Sequence, residues 1–144
     1  MEIVALIISI LALILSIFQF IRDASWQKKE ATLNAYNRLQ DDAFSHLNKY
    51  SSEFLNSTPE YRSDEYNDIT DCLVKIELFS TGINSGIYSI WVLNRLGGAY
   101  YIHQFKRLNK IIEKKREENR SQGRHYDEFE KTVKKLERIR RLGI

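Results

Sequence analysis

The chain reads as all-α: one N-terminal transmembrane helix followed by a small cytoplasmic helical bundle of four to five helices. Three observations predict this. An uncharged apolar run fills residues 3–21. Behind it, apolar residues recur at spacings of three and four, the period of a helix with one buried face, and never alternate as in a strand. The single proline and most of the six glycines fall between these periodic stretches, where such residues end or kink helices.

The apolar run is interrupted only by Ser9, Ser16 and Gln19. At about 1.5 Å rise per residue it makes a helix of about 28 Å, close to the thickness of a bilayer's hydrocarbon core. A helix satisfies its own backbone, so it can stand alone in lipid. A cleaved signal peptide would show a basic leader, a shorter apolar stretch and a small-residue cleavage site. Here Met1 and Glu2 precede the run, and Phe20-Ile21-Arg22-Asp23 offers no such site. Residues 1–23 are therefore read as a retained anchor and residues 24–144 as a cytoplasmic helical domain. Arg22, Lys28 and Lys29 follow the run and no Lys or Arg precedes it, so the positive-inside rule places the N-terminus outside and the domain in the cytoplasm. The lone Cys72 agrees with a reducing compartment and is expected to pack as a small apolar residue.

Within the span, Ala5, Ser9, Ala12, Ser16 and Gln19, continued by Asp23, repeat at spacings of 4, 3, 4, 3 and 4. Small faces let membrane helices approach closely, and Ser or Gln can hydrogen-bond across the contact. The stripe is thus a candidate helix–helix association face. A water-lined pore on the same stripe is an alternative, and simple tolerance of Ala and Ser in an isolated span is the bland one.

No Gly or Pro occurs before Pro59, so the first helix is expected to run on into the cytoplasm. Leu33, Tyr36, Ala43, Leu47, Tyr50 and Phe54 give it one core-facing stripe, and Asn56-Ser57-Thr58-Pro59 ends it. A second helix starts near Ser63 or Asp64, with Asp64 and Glu65 favoured by the helix dipole. Tyr66, Ile69, Leu73, Ile76 and Ser80 line its face, and Cys72, Val74, Leu78 and Phe79 widen it into the most buried helix of the domain. Gly82 is expected to end it in the left-handed conformation, ahead of an Asn84-Ser85-Gly86 turn. A short helix over residues 87–96 carries Trp91, Gly97-Gly98 breaks or kinks it, and a longer helix runs over residues 99–119 on Tyr101, Phe105, Leu108 and Ile112. Ser121-Gln122-Gly123 reads as a loop. The last helix starts at Asp127, with Asp127 and Glu130 at capping-box spacing and Tyr126, Phe129, Val133, Leu136 and Ile139 or Arg140 as its inner edge.

Glu77 lies near the end of the most apolar helix. A carboxylate there needs a partner, and Arg107, Arg116, His103 or the amides of the 82–86 turn are the expected ones. Alternatively Gly82, Asn84, Ser85 and Gly86 shape a small anion-binding notch with Glu77 at its floor. Lys131, Lys134, Lys135, Arg138 and Arg141, with Arg140, crowd the last helix, and Lys114, Lys115, Arg116, Arg120 and Arg124 precede it. Cations gather on solvated faces and at helix C-termini. The alternative is a patch facing the anionic cytoplasmic leaflet.

The chain is poor in catalytic material. His46, His103, His125 and Cys72 share no metal-ligand spacing, and no nucleophile elbow, phosphate loop or dinucleotide fingerprint is present. The net charge of +3 is too mild to suggest nucleic-acid binding. Neither an enzyme nor a cofactor is expected.

Glu77-Leu78-Phe79-Ser80-Thr81-Gly82-Ile83-Asn84-Ser85-Gly86-Ile87, reading E-x-F-x-x-G-I-x-x-G-I, with a basic-ended helix after it and a closing Tyr126-x-x-Phe129-Glu130 element, resembles a bacterial membrane-anchored helical domain family of unknown function. Tyr100, Tyr101 and His103 stand where that family's long helix usually carries a tryptophan. The resemblance covers nearly the whole chain and implies a bacterial inner membrane, one N-terminal span and a compact helical domain. It implies no activity, substrate or cofactor. Two functions are expected: a non-catalytic tethered interaction module, contacting membrane lipid and either a protein partner or its own copies, or an oligomerising effector that permeabilises the bilayer. A ligand sensor working through the 82–86 turn is a third.

Overall fold

The computed structural model, described over residues 2–57, 59–118 and 125–143, consists of helices joined by short turns, with no strand among the described residues. Helix α1 (Glu2–Leu39) runs 38 residues unbroken, about 57 Å at the usual rise. It passes residue 23 without a kink. Residues 3–31 are exposed, and burial begins at Thr32.

The predicted continuation to Asn56 is divided. A π-helical turn (Gln40–Phe44), a short α2 (Ser45–Leu47) and a tight turn lead to α3 (Ser52–Asn56), capped by the Ser51 hydroxyl accepting from the Phe54 N–H. A π turn widens the helix and displaces carbonyls from their usual donors, and the Lys75 ammonium donates to the Asp42 carbonyl at 3.0 Å. Thr32, Tyr36, Leu39, Ala43, Phe44 and Leu47 face the core, whereas Leu33, expected on that stripe, is exposed. Thr58 lies outside the described residues.

Helix α4 (Asp64–Asn84) begins where predicted, with the Ser63 hydroxyl accepting from the Tyr66 N–H at 3.1 Å. Tyr66, Ile69, Cys72, Leu73, Ile76, Phe79 and Ser80 are buried, but Val74 and Leu78 are exposed, so its apolar face is narrower than expected. Gly82 is not its left-handed end. The helix runs on to Asn84, and Gly86 adopts the positive φ of 82°. What Gly82 supplies is close approach: a Cβ there would overlap the Tyr88 ring. That ring stacks on Phe79 at 5.3 Å, and the Tyr88 N–H donates to the Gly82 carbonyl at 2.9 Å.

Helix α5 (Ile90–Glu118) starts three residues later than expected and continues through the two glycines, with a kink at Gly97 (φ −171°, ψ 29°). Tyr101, Leu108 and Ile112 are buried. Helix α6 (Asp127–Arg141) starts at Asp127 as predicted, burying Phe129, Val133 and Leu136. Ile139, not Arg140, completes that edge. The expected loop at 121–123, with Arg120 and Arg124, lies outside the described residues.

The helices alternate in direction. The Tyr66 hydroxyl meets Glu118 at 3.1 Å at the end remote from the apolar run. At the near end, the Ser89 N–H donates to Thr32 and Arg140 donates to Asn94. Between these ends the core is aromatic. Tyr101 sits 6.0 Å from Phe44, 6.1 Å from Phe79 and 5.0 Å from Phe129. Its hydroxyl pairs with Ser80 Oγ at 2.5 Å and donates to the Ile76 carbonyl at 3.3 Å. Burial raises that phenol far above its ordinary range. Cys72 is buried, and desolvation pushes its thiol up to about 11, in keeping with a packed apolar residue.

Arg116 ties α5 to the start of α6. It donates to the His125 carbonyl at 2.9 Å, to Glu130 at 2.8 Å and to Asp127 at 3.3 Å. Hydrogen bonds from Lys134 and then Arg116 hold the Glu130 carboxyl below the usual carboxylate range, against the opposing effect of burial. A carboxyl lowered by folding stabilises the native state above its unfolded value and loses that contribution as pH falls through the folded value. Acidification from neutral pH is therefore expected to lower the melting temperature progressively below about pH 4.3, the ordinary Glu value. In Arg116→Gln the neutral-pH stability falls and the acid slope flattens. An unchanged slope in that variant would show that the pair is not coupled to folding.

Candidate functional site

Glu77 has none of its expected partners. Arg107 donates instead to the Tyr50 carbonyl and to Gln104, Arg116 is engaged as above, and His103 is exposed. Glu77 reaches the start of α6. Its Oε1 accepts from the Glu128 N–H at 3.0 Å and its Oε2 from the Phe129 N–H at 2.8 Å. The predicted Asp127–Glu130 capping box does not form, because Tyr126 takes a left-handed conformation (φ 63°) and offers no side-chain cap. Glu77 supplies the missing acceptor from another helix and places its charge at the positive end of the α6 dipole. Burial, and secondarily the Glu77 charge, push the Tyr126 phenol up to about 12.

The rest of the predicted notch is similarly occupied. Asn84 Nδ2 donates to the Glu128 carbonyl and to Thr132 Oγ1, both at 3.0 Å, and its Oδ1 accepts from Lys135 at 2.7 Å. Ser85 and Gly86 stay exposed beside an open depression shared with Thr81 and Lys131. The 82–86 segment is thus brought together with Glu77, as a joint between α4 and α6.

The basic residues of α6 divide into two groups. Lys131 pairs with Glu128 and Lys134 with Glu130, both at 2.6 Å, and Lys135 is held by Asn84. Arg138 and Arg141 are exposed toward the end of α6, where Arg140 meets Asn94. The Ala5–Gln19 stripe of α1 is exposed along its length. Ser9 Oγ donates to the Ala5 carbonyl and Ser16 Oγ to the Ala12 carbonyl, each at 2.9 Å. Their protons are thereby satisfied within the helix.

One constellation escaped the sequence reading. Thr32, fully buried, donates to the Lys28 carbonyl at 2.7 Å and accepts from the Ser89 N–H at 2.8 Å. This pins the start of α5 beside α1. Ser25, Lys28 and Lys29 of α1 then line an open cleft of about 480 Å³ with Ser89, Trp91 and Arg95. Trp26 and Trp91, the two tryptophans of the chain, are 68% and 49% exposed. The available signal was the position of Trp26 five residues beyond the apolar run, where membrane interfaces collect tryptophan. Trp91 could be joined to it only once α5 was known to return to that level.

A family described as a domain of unknown function (DUF4760) matches residues 6–136. No curated protein and no solved structure matches the chain.

Proposed function

We propose that this chain, which belongs to the DUF4760 family of unknown function, is a non-catalytic, membrane-tethered helical module. In this reading residues 3–21 cross a bacterial inner membrane with the N-terminus outside. The domain on the cytoplasmic side recruits or regulates a protein partner. The observation that carries the reading is the continuity of α1. The apolar run and the Tyr36–Leu39 part of the core belong to one helix with no hinge, so the domain is held at a fixed height above its membrane. A flexible linker would suit a domain that only needs to be kept nearby.

The oligomerising effector is the second reading, supported by Gln19. It lies on the exposed stripe near the end of the apolar run, its side-chain amide makes no hydrogen bond among the described residues, and an amide in lipid favours a partner on another helix. The back-bonded Ser9 and Ser16 argue for the module, since their protons are already used.

The deciding experiment is the mass of the full chain in nanodiscs, beside a Ser9→Leu, Ser16→Leu variant, with dye release from vesicles measured in parallel. The module reading expects a monomer or dimer in both proteins and no leakage. A discrete assembly of at least about four chains that leaks dye, both lost in the variant, would overturn it, because a water-filled pore needs several helices around it.

A further inference from the structure

We infer that the end of the domain built around Trp91 docks onto anionic lipid headgroups of the leaflet from which α1 emerges, so that the domain lies on the membrane instead of standing off it on a stalk. The inference rests on residues 3–21 crossing the bilayer, as proposed above.

The first support is depth. Along α1, residues 25–29 lie about 6–12 Å beyond Ile21, and the headgroup layer is about 5–8 Å thick on each side of the hydrocarbon. The cleft shared with Trp91 therefore opens at the outer edge of the headgroup layer, within reach of long Lys and Arg side chains. That position depends on a specific buried contact, the Thr32 hydroxyl held between Lys28 and Ser89.

The second support is charge. Lys28, Lys29 and Arg95 line the cleft from two helices, and no carboxylate lines it. Arg140, exposed and bonded to Asn94 one residue before Arg95, extends the basic rim onto α6. Such a cluster complements the negative surface of a cytoplasmic leaflet. The third support is side-chain type. An exposed Trp91 lining the cleft, and an exposed Trp26 next to Ser25 on α1, offer the amphipathic rings that settle between headgroups. The occupant is thus an anionic lipid surface. Lys131, Lys134 and Lys135 are tied to Glu128, Glu130 and Asn84 and are not its contacts.

The test uses the full chain in vesicles whose lipids are brominated near the ester end of their chains, with single-tryptophan variants. Trp91→Phe leaves Trp26 as a gauge of the span, and Trp26→Phe leaves Trp91 as a gauge of docking. Both are exposed sites where Phe is tolerated. Docking expects Trp91 emission to be quenched roughly twofold more in vesicles of about one-third phosphatidylglycerol than in phosphatidylcholine alone. The extra quenching should be reversed by about 0.5 M salt and absent in Lys28→Gln, Lys29→Gln, Arg95→Gln. Trp26 quenched with Trp91 unquenched would overturn the docking while leaving the span intact. Trp91 quenched equally in both lipids would overturn its anionic character. Trp26 unquenched as well would mean that the span reading had failed, and the docking with it.

Discussion

Gly97→Val is expected to destabilise the helical domain by about 3 kcal/mol or more, the upper range for overpacking a filled core. For a domain of this size that lowers the melting temperature by roughly 10 °C. The cause is not the backbone. At φ −171° any residue is accepted. The cause is space: a Cβ at Gly97 would overlap the Tyr36 hydroxyl and come within 2.7 Å of Cζ. Tyr36 cannot swing aside, because its ring lies 6.4 Å from Phe44 and 6.3 Å from Phe79, and its hydroxyl accepts from Gln40 at 2.8 Å. Gly97 is the point where α5 meets the Tyr36 turn of α1, so the clash falls on the contact that joins the long N-terminal helix to the bundle. A double-mutant cycle separates this from a general intolerance of the kink. Tyr36→Leu removes the outer ring atoms and costs about 1–3 kcal/mol alone. If the overlap is the cause, Gly97→Ala adds little in that background, and the two changes together cost at least about 1 kcal/mol less than their sum. Strict additivity, read from thermal unfolding by circular dichroism, would reject the explanation.

Gly97 also shows which features a sequence displays. The kink was legible because two adjacent glycines weaken a helix wherever they occur. The same holds for the Ser63 cap, the start of α6 at Asp127 and the apolar run, each written in a few neighbouring residues. The reason for Gly97, a tyrosine 61 positions earlier, is not local and could not be read. The π turn at Gln40–Phe44 carries no local marker either. Within it adjacent residues Ala43 and Phe44 are both buried, and Phe44 lay off the stripe of spacings that ran through Ala43 and Leu47. The misplacement of Leu33, Val74 and Leu78 in the core has a further cause. Apolar character permits burial but does not compel it, and only the packing of α6 and α1 against α4 decides which side of that helix is covered. The two tryptophans were invisible as a pair for the same reason, since the return of α5 to the level of Lys28 depends on the buried Thr32.

Glu77→Ala is expected to cost about 2–3 kcal/mol, the range for removing a charged acceptor from buried amide donors. Two N–H groups at the first turn of α6 lose their partner, and Tyr126, held at φ 63°, cannot supply one. The charge matters as well as the acceptor. No cation pairs with Glu77 among the described residues, so the α6 dipole compensates it. Glu77→Gln keeps one oxygen and loses the charge and the second acceptor, and should fall between wild type and alanine. Glu77→Asp is too short to reach both amides from α4 and should resemble alanine. Hydrogen exchange gives the local reading. The Glu128 and Phe129 amides are expected to exchange slowly in the native protein and fast in Glu77→Ala, while amides at the centres of α4 and α5 should change only by the loss of global stability. Slow exchange at both positions in the alanine variant, with a melting temperature within about 1 °C of wild type, would mean that α6 finds another cap and that this contact is dispensable. The expected result makes Glu77 the bond that holds α6 to α4, which is why a residue spaced like a buried binding-site acid acts here as a helix cap supplied across 51 residues.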